Sequence, residues 1–137
     1  MTINTERFRK IQEQIEREPE SLDMVSWEDH RPPFRTCGTT RCVAGWAVFN
    51  ETGQPLFTEQ HDLSGPTLLL AAQLGIPEGF HRVGSVVSAI AEKLLGLDEE
   101  DAETLFHSVP NGVAVKIVAA FARGDERGGR NLLSEYQ

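Results

Sequence analysis

From Val83 onward, apolar side chains recur at Val83, Val86, Val87, Ile90, Ala91 and Leu94, a three-and-four spacing that only an α-helix gathers onto one face. This pattern, ended by Gly96, is the firmest constraint in the chain and sets the expectation for the rest. Phe8, Ile11 and Ile15 repeat the spacing earlier, with Glu6, Arg7, Arg9, Lys10, Glu13 and Glu16 between them, predicting a first helix over 4–17 that stops at Pro19. Ser64 followed by Pro66 opens a helix that Gly75-Ile76-Pro77 closes. Asp98 caps another through His107, with Glu99, Glu100 and Asp101 in the electropositive first turn. Val113, Val115, Ile117, Val118 and Phe121 are apolar on nearly every side of a further helix, as expected of a spine buried in the core.

Between Pro33 and Val48 the sequence changes character. Cys37-Gly38-Thr39-Thr40-Arg41-Cys42-Val43-Ala44-Gly45-Trp46-Ala47 reads as a turn leading into a helix, with the hydroxyl of Thr39 or Thr40 as the expected cap. Ala44, Gly45 and Ala47 make that helix thin, and an isolated helical glycine costs up to about 1 kcal/mol relative to alanine. Close packing at the centre of the fold is the expected compensation. Asn50-Glu51-Thr52-Gly53-Gln54-Pro55, flanked by Val48-Phe49 and Leu56-Phe57, is rich in turn formers and allows a short β-hairpin around residues 48–57 beside a plain loop. The predicted architecture is mostly α: a compact, single-domain bundle of five to six helices over 1–124, followed by a charged, glycine-rich tail over 125–137 with Leu132, Leu133 and Tyr136 as its anchors. A chain of 137 residues is long enough to bury such a core without disulfides.

The block from Cys37 to Trp46, preceded by Met24-x-x-Trp27 and followed by Leu94-Leu95-Gly96-Leu97 and Ala102-x-x-Leu105-Phe106, resembles a group of small actinobacterial and actinobacteriophage proteins. The resemblance implies a bacterial or phage setting; it brings no activity, cofactor or catalytic residue with it.

The chemistry-bearing residues lie mostly in the same region. Four residues separate Cys37 from Cys42, where zinc knuckles and redox dithiols usually have two. A tetrahedral site drawn from Cys37, Cys42, His30 and His61 is the weak metal candidate, and a disulfide or thiol switch on the two cysteines is its redox counterpart. Cys42 near a helix start, beside Arg41, is expected to have a lowered thiol pKa, which permits a nucleophile with His30 as base; no third group orients that base. Gly38-Thr39-Thr40-Arg41 offers an anion seat but lacks the lysine and second glycine of a phosphate loop, and the same residues serve a helix cap. No catalytic or cofactor-binding residue is assigned.

The balance of 21 acidic against 13 basic side chains, a net charge of −8, opposes nucleic-acid binding and suits a basic protein surface. Absence of a leader-like apolar segment or a run of about 18 apolar residues predicts a cytoplasmic chain that does not cross a membrane. Trp27, Phe34, Arg41, Trp46, Phe57 and Phe80 are the candidate partner contacts, being of the residue types that anchor interfaces. The expected function is a small acidic helical protein-interaction module, phage- or prophage-derived and acting on a host protein. A cysteine-centred metal or redox switch and an enzyme of unknown reaction are the alternatives, and oligomeric state stays open.

Overall fold

The computed structural model of the chain describes residues 2–24, 41–60, 62–77 and 83–137. Within these, the architecture is mostly helical: α1 (Thr5–Arg17), a 3-10 turn (Pro19–Ser21), α2 (Val43–Thr52), α3 (Gly65–Gln73), α4 (Val83–Leu95), α5 (Glu99–His107), α6 (Asn111–Ala122) and α7 (Glu126–Ser134). None of these helices is long and apolar enough to cross a membrane.

Local chemistry explains the boundaries. Asn4, Ser64, Asp98 and Asp125 each accept, through a side-chain oxygen, a backbone N–H in the first turn of α1, α3, α5 and α7 respectively. At the start of α2, Cys42 takes this role: its Sγ accepts the N–H of Gly45 at 3.4 Å. The cap expected from Thr39 or Thr40 is therefore supplied by a thiol, and both threonines lie outside the described residues.

The core forms where the apolar faces meet. α1 and α7 both pack along α6, and α2 lies against α4. Phe8, Ile11, Ile90, Leu105, Ile117 and Phe121 are wholly buried. Phe8 of α1 and Phe121 of α6 meet with ring centroids 5.0 Å apart and planes at 48°. The spine helix is more one-sided than its composition suggests, since Ala114, Ile117, Val118 and Phe121 are buried whereas Val115 is exposed.

Three expectations are revised. The helix count exceeds five to six, because the segment over 125–137 contains α7 rather than a tail. Gly129 there has no side chain to collide with the Phe121 ring that lies against its Cα, which lets α7 settle onto α6 and bury Leu133. No hairpin forms at residues 48–57: α2 runs through Thr52 and stops at Gly53, whose φ of +69° is a left-handed value that suits glycine. The antiparallel bridge in this region instead pairs Phe57 with Leu63.

Candidate functional site

The buried junction around Arg41 holds several residues singled out from sequence. Leu22 and Arg41 form an isolated parallel bridge: the Arg41 N–H donates to the Ser21 carbonyl at 2.9 Å, and the Asp23 N–H donates to the Arg41 carbonyl at 3.0 Å. Trp46, one turn into α2, donates its indole N–H to the same Ser21 carbonyl at 3.1 Å. From α6, Asn111 donates its amide to the Leu22 carbonyl at 3.2 Å and accepts the Met24 N–H at 2.9 Å.

Arg41 is itself buried, with only 3% of its surface exposed. Its guanidinium carbon lies 3.8 Å from the Phe49 ring centroid and 4.7 Å from that of Trp46, and the two rings meet edge to face at 5.6 Å. Trp46 and Phe49 are three residues apart on α2, so the helix presents both rings to one cation. Weakly hydrated and planar, a guanidinium tolerates such stacking better than an ammonium does. Arg41 and Trp46 are therefore internal braces and not the surface anchors their residue types suggest. Phe57 is half-buried and packs against the core. Trp27, Phe34 and Phe80 lie outside the described residues, as do Cys37, His30 and His61, which leaves Cys42 as the described member of the metal candidate set.

Cys42 is 2% exposed, and burial pushes its thiol up from the ordinary value of 9.0 to about 11. Hydrogen bonds from backbone amides at the start of α2 pull the other way but are the lesser effect. The lowered pKa expected from a helix start is thus overturned by desolvation, because the charged thiolate has lost its water. Since the folded value lies above the ordinary one, the associated stability is complete below about pH 9 and is lost as pH rises toward 11. A Cys37→Ser chain is expected to alkylate at Cys42 with iodoacetamide at pH 8 at least ~100-fold more slowly when folded than in urea. Labelling at the unfolded rate would contradict this burial.

A second feature was not singled out from the sequence. Leu68-Leu69-Leu70 falls on α3, and a helix cannot turn three consecutive residues inward. Thr67, Leu70 and Ala71 face the core, while Leu68 and Leu69 are 53% and 61% exposed. Beside them opens a cleft of about 370 Å³ walled by Leu63, Leu68, Ala71, Ala72, Ile76, Pro77 and Val86. Every described side chain in that wall is apolar. Thr67 fixes the orientation of α3 by donating its hydroxyl to the Leu56 carbonyl at 3.2 Å. The leucine triplet was the available signal, since its length on so short a helix forces some of it outward.

Comparison of the chain with protein-family models, curated proteins and solved structures gives no match.

Proposed function

We propose that this chain is a protein-interaction module whose contact surface is the outer face of α3 and the cleft beside it. The observation that carries the reading is the exposed pair Leu68 and Leu69, the first of them in a cleft wall whose described side chains are all apolar. Leu68 in the cleft wall and exposed Leu69 next to it on α3 offer apolar surface whose removal from water by a partner is favourable. Among the described residues the wall holds no acid, base or nucleophile, which favours docking over reaction at this place. Burial of Cys42 likewise favours docking over a thiol switch centred on that residue. Resemblance of the Cys37–Trp46 block to actinobacterial and phage proteins supports a bacterial setting in which the partner is a host protein.

The test compares captures by the wild-type chain with captures by a Leu68→Ser/Leu69→Ser double variant. Both substitutions lie at exposed positions, so unfolding stability is expected to change by no more than about 0.5 kcal/mol each. A specific protein held by the wild type and lost by the folded variant is the expected result. If every captured protein is retained equally by the variant, the reading fails.

A further inference from the structure

The charge near the α3 cleft selects among its possible occupants. Between Arg41 and Arg82 the sequence contains no lysine or arginine, but it contains Glu51, Glu59, Asp62 and Glu78. Glu51 is already balanced: Arg7 donates to both its carboxylate oxygens, from Nε at 3.1 Å and Nη2 at 3.0 Å, and holds its carboxyl below the usual range. Glu59 and Asp62 are different. Both are exposed, and among the described residues neither is paired with a cation. They stand on a tight turn in which the Thr58 N–H donates to the Asp62 carbonyl at 2.7 Å and the Asp62 N–H to the Thr58 hydroxyl at 3.3 Å. The bridge between Phe57 and Leu63 closes that turn, and Leu63 is part of the cleft wall. Two carboxylates therefore sit on the turn that leads directly into an apolar cleft, and α3 carries no charged side chain of its own.

We infer that the cleft and the Leu68–Leu69 surface receive a basic amphipathic helix of another protein, with apolar side chains in the cleft and lysines or arginines toward Glu59 and Asp62. The inference rests on the reading that α3 is a partner-binding surface and adds the chemistry of the partner. A helix suits the site because the face offered is a helix with an apolar groove beside it. Strand addition would need an open sheet edge, whereas the described residues hold only isolated bridges. A second copy of this chain is disfavoured, since each copy carries −8 and its own α3 has no cation to set against Glu59 and Asp62. A small polar ligand would find no polar side chain among the described residues of the wall to orient it.

The probes are a fluorescein-labelled amphipathic helical peptide of lysine and leucine and its counterpart with glutamate in place of lysine. Anisotropy is read with wild type, Leu68→Ser/Leu69→Ser and Glu59→Gln/Asp62→Asn, each checked for unchanged folding by circular dichroism. The lysine peptide is expected to bind at least ~10-fold more tightly than the glutamate peptide, with affinity falling as salt rises. Removing the leucines should weaken it by about 10-fold or more, and neutralising the two carboxylates by about 3-fold with a shallower salt dependence. Undiminished binding to the Leu68→Ser/Leu69→Ser variant would overturn the inference, since net charge alone would then explain the attraction. Equal binding of the glutamate peptide, binding of neither peptide, or self-association of the chain abolished by the leucine substitutions would each overturn it too. A cellular protein captured through Leu68 and Leu69 without any preference for the lysine peptide would leave the interaction reading standing and remove only the basic partner.

Discussion

Trp46→Ala is expected to lower the unfolding free energy by about 3–5 kcal/mol, read as a shift in the urea midpoint at unchanged slope. Three losses combine at this one position. The side chain is 4% exposed, so its removal leaves a void in a core too dense to collapse fully around it. The Ser21 carbonyl loses its indole donor and, among the described residues, keeps the Arg41 N–H. The Arg41 guanidinium loses one of the two rings against which its charge is stacked, while remaining surrounded by protein. Trp46→Phe separates these contributions: it retains a ring and most of the volume, and is expected to cost about 1–2 kcal/mol. A loss below about 1 kcal/mol for the alanine variant would mean that the junction between the 3-10 turn and α2 contributes little to holding the fold together.

Phe8→Ala should be comparably severe, at about 3–5 kcal/mol, for a different reason. Phe8 has no exposed surface, and its ring meets Phe121 where α1 lies along α6. Beyond the lost transfer energy, an aromatic pair in this tilted arrangement contributes about 0.5–1.5 kcal/mol. The same Phe121 ring lies against Gly129, so a void at Phe8 also frees the surface on which α7 is seated. Phe8→Leu fills most of the space without the ring contact and is expected to recover more than half of the loss. Equal destabilisation by leucine and alanine would show that ring contact, and not volume, holds α1 to α6.

Where adjacent residues carry enough information, the sequence could be read correctly. The apolar spacing after Val83, the polar caps at Ser64 and Asp98, and the stops at Pro19 and Gly96 all act within a turn or two of themselves. Features that depend on distant partners were harder to see. Gly128-Gly129 reads as a helix breaker until Phe121 is known to lie against Gly129. Gly53 closes α2 instead of turning a hairpin, because the first part of α2, through Val48, is drawn into the core. A thiol is a weak acceptor, so Cys42 was not the expected cap, and its raised pKa follows from burial that no neighbour in sequence announces.

The candidate site was less legible for the same reason. Arginine and tryptophan are frequent in interfaces, but residue type does not distinguish a ring stacked inside from a ring offered outside. Arg41 and Trp46 are internal because the bridge to Leu22 and the indole bond to Ser21 hold them against the turn that follows α1. Nothing in residue type separates Leu68 and Leu69 from core leucines, and only the inward direction of Thr67 and Leu70 turns them outward. The turn bearing Glu59 and Asp62 gained meaning once Leu63 was found in the cleft wall.

The bridge between Leu22 and Arg41 brings together two points that the sequence holds well apart, and Asn111 ties the first of them to α6. Ser21, Arg41, Trp46 and Asn111 thus form one clasp that joins the end of α1 to the starts of α2 and α6. Substitutions at these positions share partners, so their costs will not add: once one member is lost, removing a second costs less than it does alone.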